Sequence, residues 1–296
     1  MRWLRDTLGE RARFQQPMSA HTTWAVGGPA WCVCQVHSPE EAAAVIRATE
    51  EAGLPWMVLG RGSNLLVSDR GYYGVMLRLA GPLARLRREG DHIRAGGGAP
   101  LPAAVKLAAR AGLAGLEWAV GIPGTVGGAA ATNAGAFGSD LAALTRELTL
   151  LLPGGEVRTL AGDRLPAGYR RRELPAGAVV LEVLLALQPD DPQAVAERTE
   201  RFLDRRRQTQ PVAAATAGCV FKNPPGEAAG RLIEAAGCKG LAVGQAEVSP
   251  RHANFIVNRG RASAREVLAL IEQVRRRVRE VAGVELELEV EVVGDA

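Results

Sequence analysis

Apolar positions recur along this chain with two different periods, and the switches between them mark out its elements. Ala30–His37 (AWCVCQVH) is an apolar run of strand length. Ser38, Pro39 and Glu41 then supply an N-cap, a proline at the first helical position and a capping-box glutamate. A helix should therefore run from there to about Ala52 and stop at Gly53. Trp56–Leu59 reads as a short buried strand that opens into a loop, GRGSNLLVSDRGYYG (60–74). Strand patterns return at 75–79 and 92–95, and 100–112 has the helical period with a closing glycine. Residues 121–140 (GIPGTVGGAAATNAGAFGSD) are poor in charge and crowded with glycine, which predicts turns packed closely against something rather than a regular element.

Two strands joined by Pro153-Gly154-Gly155 predict a hairpin, and 178–188 predicts a further buried strand. Asp191-Pro192 opens a charged helix ending near Arg207. Beyond it come a glycine-rich turn (217–226), a short helix (about 227–236) and strands near 243–248 and 254–257. A long amphipathic helix is capped by Ser263 with Glu266 at the box position. The last segment, VELELEVEVV (284–293), alternates so that Glu falls on one face and Val or Leu on the other, as a strand would.

The 296 residues carry 36 Lys and Arg against 32 Asp and Glu, a net charge of only +4. All but Lys106, Lys222 and Lys239 of those cations are Arg, whose planar fork suits carboxylates and phosphates. They are spread along the chain among acids, not gathered in the stripe expected of a nucleic-acid binder. Four cysteines are too few for a secreted disulfide scaffold, and Cys32-x-Cys34 suits core packing. No apolar window has the length of a membrane span or of a signal-peptide core, so a cytoplasmic protein is expected.

Several chemistries are excluded. There is no G-x-G-x-x-G, because Leu65 stands where the third glycine should be, and no P-loop lysine. The four histidines are isolated, so no metal site is expected, and a G-x-S-x-G nucleophile turn is absent. What remains are glycine-rich loops that follow strands. Gly60–Leu65 can point successive N–H groups at phosphate oxygens, with Ser63 and Asn64 adding side-chain donors. In 121–138, Thr125, Thr132 and Asn133 stand among small residues, which suits a large, flat cofactor lying against the main chain. Two such loops favour a nucleotide cofactor. In 217–224 (AGCVFKNP), Cys219 is a candidate proton donor near Lys222; a free packed cysteine is the plainer alternative.

Six segments in order, HTTWAVGGPA (21–30), VLGRGSNLLVSD (58–69), GIPGTVGGAAATNAGAFG (121–138), GYR (168–170), AGCVFKNP (217–224) and VSPRHANFIVN (248–258), resemble the UDP-N-acetylenolpyruvoylglucosamine reductases, flavoenzymes of peptidoglycan precursor synthesis. The likeness runs from His21 to Gly294. It implies an α+β protein with an FAD-binding fold of the vanillyl-alcohol-oxidase type. Two FAD subdomains (1–82 and 83–190), a linking helix (191–207) and a substrate domain (208–296) are then expected. The resemblance also implies non-covalent FAD, NADPH as co-substrate, and a small-molecule substrate, UDP-N-acetylglucosamine enolpyruvate. No nucleic-acid, membrane or obligatory protein partner is implied.

By motif match, Arg170 and Glu289 stabilise the substrate carboxylate, and Cys219, where the family more often has Ser, gives the proton. FAD should rest on Gly60, Arg61, Gly62, Ser63, Asn64, Gly121, Thr125, Gly128, Thr132, Asn133 and Gly135. Tyr169, Arg207, Lys222 and Asn223 should face substrate. Leu288 replaces a usual proline between Glu287 and Glu289, and strand alternation puts both acids on one face; the distance to Gly294 favours Glu289. The short C-terminal region resembles the compact subgroup. The competing expectation is another FAD-linked oxidoreductase of the same flavin fold, which would share the two glycine-rich loops.

Overall fold

The computed structural model describes residues 2–294; Met1, Asp295 and Ala296, at the ends of the first and last expected domains, lie outside them. The helices are α1 (Arg2–Leu8), α2 (Pro39–Glu51), α3 (Leu101–Arg110), α4 (Val126–Ala131), α5 (Pro192–Thr209), α6 (Ala229–Ala235) and α7 (Ala264–Ala282). The chain divides into two compact units. One holds the chain up to Phe14, Cys32–Gly60 and Gly74–Arg205; the other holds Gln15–Trp31, Arg61–Tyr73 and the chain from Arg206.

The first unit is built on a five-stranded antiparallel sheet in the spatial order Val157–Ala161, Thr145–Leu151, Val179–Ala186, His92–Gly96, Leu86–Glu89. The hairpin expected at Pro153–Gly155 forms, with Leu151 opposite Val157. Ala104, Val105 and Ala108 of α3 and Val126, Ala129 and Ala130 of α4 share one core with Ile93, Leu148, Leu150, Val183 and Leu185 of the sheet. The helix α4 interrupts what the sequence predicts as turns alone. Thr125 caps it, accepting the Gly128 N–H at 3.2 Å. Gly127 lets it sit directly on the main chain: a Cβ there would lie 2.8 Å from the Gly97 carbonyl oxygen, which accepts the Gly127 N–H at 2.9 Å.

A second sheet has the order Ala12–Pro17, Pro29–Val36, Tyr72–Leu79, Trp56–Val58, and the first three of these strands carry the chain across the division between units. Cys32 and Cys34 are fully buried in it, with Sγ atoms 3.5 Å apart. Ser38 caps α2 as expected, but Glu41 does not close the capping box. Its carboxylate accepts the His37 N–H at 2.8 Å and grips Arg11 at 2.6 and 2.9 Å, because a cation within reach outcompetes one more main-chain donor.

In the second unit α7 packs Val267, Leu270, Ile271, Val274 and Val278 into a core with Trp24, Leu66, Val220, Phe221, Ile233, Leu286 and Val290. Burial of each such side chain contributes about 1.5–3 kcal/mol. The Ser263–Glu266 capping box forms, and the Asp69 carboxylate accepts two further α7 N–H groups, from Ala264 at 2.8 Å and Arg265 at 3.0 Å. Ala242–Val243, Ala246–Val248 and Ile256–Asn258 make a small antiparallel sheet. The expected strand over 284–293 is regular only at Glu291–Val293, which pairs in parallel with Leu65–Val67. Leu286 and Val290 are buried and Glu285 and Glu287 exposed, so the alternation is kept. The facing segment is bent at Gly218 (φ 80°), so only an isolated Phe221–Leu288 bridge forms there. Among the described residues no helix is long and apolar enough to cross a membrane.

Candidate active site

The loop 60–64 is shaped by two glycines. A Cβ on Gly60 would lie 3.0 Å from the Thr125 hydroxyl. Gly62 is left-handed (φ 61°) and buried, and a Cβ there would lie 2.3 Å from the His21 carbonyl oxygen, so no larger residue fits. Among the described residues no acceptor takes the main-chain N–H groups of Gly60, Arg61, Gly62 or Asn64. Successive main-chain donors without a protein partner suit an anionic ligand. The Asn64 side chain is turned elsewhere: its Nδ2 donates to the Glu289 carbonyl at 3.0 Å.

In 121–138 the positions expected to touch FAD divide by role. Gly121 and Gly128 are exposed. The Thr125 side chain caps α4, and the Thr132 hydroxyl donates back to the Gly128 carbonyl at 3.0 Å. Asn133 is buried and left-handed (φ 46°), and both ends of its amide are engaged: Nδ2 donates to the Gly168 carbonyl and Oδ1 accepts the Ala142 N–H, each at 2.9 Å. It thereby fastens the hairpin of Ala167–Gly168 and Arg171–Arg172, at whose turn Arg170 stands. Arg170 is itself left-handed (φ 56°), donates from Nη1 to the Gly135 carbonyl at 2.8 Å, and stacks its guanidinium 5.2 Å from the Tyr169 ring centre. Among the described residues three of the five non-glycine positions at positive φ, Asn133, Phe137 and Arg170, belong to these two segments. Backbone held in that region gathers at working sites. Arg172 is buried beside them. Its Nε and Nη1 have no partner among the described residues, and burial pulls its pKa below the ordinary arginine value, against the pull of Asp140.

The second unit brings Cys219, Lys222, Asn223, Glu287 and Glu289 onto two facing segments. Cys219 is half-buried and in no disulfide, and its main chain forms an isolated antiparallel β-bridge with Phe255. The Val220 carbonyl accepts the Glu289 N–H at 2.8 Å, and the Glu287 carbonyl accepts the Lys222 N–H at 2.9 Å. Lys222 Nζ pairs with the Glu287 carboxylate at 3.2 Å, and that carboxylate is three-quarters exposed. Glu289 is half-buried, so the two acids that alternation could not separate stand in different surroundings. Asn223 Oδ1 accepts the Ala229 N–H at 3.0 Å, at the start of α6. Arg207 is exposed, and its carbonyl accepts from Arg251 Nη1 at 2.9 Å.

One residue that sequence reasoning passed over holds the thiol segment. Asn254, 3% exposed, accepts the Phe221 N–H at 2.9 Å and donates to the Phe221 carbonyl at 2.8 Å, while its own carbonyl takes the Val220 N–H at 2.9 Å. Its signal was available: an amide inside the apolar run Ala253–Ile256 must find partners when buried.

A model of an FAD-binding domain matches residues 30–161, and a model of the UDP-N-acetylenolpyruvoylglucosamine reductase C-terminal domain matches 210–293. The chain is 46% identical to UDP-N-acetylenolpyruvoylglucosamine reductase 2 of Symbiobacterium thermophilum, over 96% of this chain and 92% of that protein. This chain belongs to the UDP-N-acetylenolpyruvoylglucosamine reductase family. The reductase of Heliobacterium modesticaldum is also 46% identical, over 99% of this chain and 93% of its own length. The crystal structure of the reductase from Thermus caldophilus superposes with a TM-score of 0.84 at 42% identity, covering 96% of this chain and all of that one. Membership in the reductase family bears out the α+β flavin-binding fold and makes the protein an oxidoreductase with FAD as cofactor. The main-chain N–H groups of Gly60, Arg61, Gly62 and Asn64 fit such a group, being donors suited to its diphosphate.

Proposed function

We propose that this chain, working in the cytoplasm on a small-molecule substrate, reduces the enolpyruvyl group of UDP-N-acetylglucosamine enolpyruvate to give UDP-N-acetylmuramate, with NADPH as the source of electrons. Bound FAD, once reduced, supplies the hydride that C3 of the enolpyruvyl group receives. The residues of this chain then handle charge and the proton. Addition of hydride to C3 pushes an electron pair toward C2 and the carboxylate, and a positioned cation and acid lower that barrier. Arg170 meets the carboxylate as the cation and Glu289 as the acid. Cys219 releases its thiol proton to C2, which completes the addition of one hydride and one proton across the double bond. In this reading Tyr169, Arg207, Lys222 and Asn223 line the way to the nucleotide-sugar, and 208–296 is the substrate domain.

The observation that carries the reading is 46% identity over nearly the whole chain, with the half-buried thiol of Cys219 on the segment that faces Glu289. The test separates the two halves of the reaction. In Cys219→Ala, NADPH should still bleach the flavin, while UDP-N-acetylglucosamine enolpyruvate should no longer restore its yellow colour; Cys219→Ser should restore it. Reoxidation of Cys219→Ala at the wild-type rate would remove the thiol from the mechanism.

A further inference from the structure

We infer that Asn64 is a positioning residue for Glu289, joining the glycine-rich loop to the segment that carries the acid. The inference rests on the reading of Glu289 as that acid. Three hydrogen bonds carry it. The Asn64 Nδ2 donates to the Glu289 carbonyl at 3.0 Å, the Asn64 carbonyl accepts the Glu291 N–H at 3.0 Å, and the Glu289 N–H is held from its other side by the Val220 carbonyl at 2.8 Å. Glu289 is therefore fixed through both its main-chain groups, one by the segment of Cys219 and one by Asn64.

The geometry explains why the residue is an asparagine. Parallel pairing of Leu65–Val67 with Glu291–Val293 begins at Leu65 opposite Glu291. One step earlier the main-chain N–H of Asn64 itself takes no acceptor among the described residues. The side-chain amide supplies that rung in its place, and it extends the pairing back to residue 289. One N–H of its amide is committed to the Glu289 carbonyl, so a residue of the loop expected to grip the cofactor also holds the acid. A shift of about 1 Å in a reacting group can slow a reaction on the order of a hundredfold.

The test uses Asn64→Ala, and Asn64→Asp as a variant of nearly the same shape in which a carboxylate replaces the donor, should the first fail to fold. Hydrogen exchange of the flavin-free protein should show faster exchange in 284–293 in either variant, with the rest of the chain unchanged. In the flavin-loaded protein, reoxidation by UDP-N-acetylglucosamine enolpyruvate should slow at least tenfold more than reduction of the flavin by NADPH does. In a double-mutant cycle, adding Asn64→Ala to Glu289→Gln should change reoxidation by less than about twofold, since a residue acting through another adds nothing once that other is gone. Additive losses, unchanged exchange in 284–293, or a fall in flavin affinity that accounts for the lost turnover would overturn the assignment. Wild-type turnover by Glu289→Gln alone would instead remove the acid role, while the exchange result would still decide whether Asn64 clamps the segment.

Discussion

Replacing Asn254 by alanine should loosen the Cys219 segment and the whole protein by a predictable amount. The side chain satisfies both main-chain groups of Phe221, at 2.9 and 2.8 Å, and Phe221 is 1% exposed, so water cannot take over. A buried donor or acceptor left without a partner costs about 1–3 kcal/mol, and two of them cost about 2–6 kcal/mol. Set against a total stability on the order of 5–15 kcal/mol, that is a large fraction. At roughly 2–4 °C per kcal/mol for chains of about this size, Tm should fall on the order of 10 °C. The Val220 N–H keeps its bond to the residue 254 carbonyl, so the segment should loosen around Phe221 and not detach. Circular dichroism melts read the global loss. Alkylation reads the local one, because Cys32, Cys34 and Cys238 are buried and Cys219 is the half-buried thiol; it should react faster in the variant. Asn254→Asp keeps the acceptor for the Phe221 N–H and sets a carboxylate against the Phe221 carbonyl, so it should recover little. A melt within about 1 °C of wild type, with unchanged alkylation of Cys219, would show that Phe221 finds other partners.

The two C-terminal acids should separate cleanly in turnover measurements. Glu287→Gln removes an exposed pair with Lys222 worth about 0–1 kcal/mol and should change turnover by less than about fivefold, whereas Glu289→Gln should lose on the order of a hundredfold. Asp69→Ala should lower stability by about 1 kcal/mol, since two N–H groups of α7 lose their acceptor while Ser263 still caps the helix, and flavin affinity measured by titration should not move. His252 packs edge-on against Phe255, 4.7 Å between ring centres, and burial holds its pKa below the ordinary 6.5. The unfolded chain therefore takes up a proton at a higher pH than the folded one, and stability falls as pH drops through about 6.5 toward the folded value. Denaturant titrations of His252→Gln at pH 7.5 and 5.5 should show a smaller acid loss than wild type.

Local chemistry was legible in the sequence and distant partners were not. Ser263 with Glu266 specifies the start of α7 within four residues, and Pro153–Gly155 specifies its hairpin, because every group in those motifs bonds to a near neighbour. Glu41 misled the capping-box expectation because Arg11, thirty positions away, takes its carboxylate. The helix α4 was hidden because Gly127 reads as a helix breaker until the Gly97 main chain it rests on is known. The C-terminal alternation was real over 285–290, yet that stretch meets the segment of Gly218 only at the Phe221–Leu288 bridge, and the regular ladder is the one Glu291–Val293 makes with Leu65–Val67.

The same limit shapes the site, and it gives three asparagines one role. Glycine-rich backbone approaches its neighbours closely, but its bends leave main-chain N–H and C=O groups that no strand ladder reaches. A side-chain amide has one donating and one accepting end at a short reach, so it can stand in for a missing rung. Asn133 does so between the Gly168 carbonyl and the Ala142 N–H, Asn254 on both groups of Phe221, and Asn64 on the Glu289 carbonyl. Sequence motifs mark such residues as belonging to the site without saying whether they touch the ligand or hold its neighbours. The hydrogen bonds separate the two. Where both ends of the amide are engaged inside the protein, as in Asn133 and Asn254, substitution should act through the position of Arg170 or Cys219 and not through a lost contact with flavin. Each of these amides tethers a segment that carries or adjoins Arg170, Cys219 or Glu289, so the glycines set the bends and the asparagines keep them from relaxing.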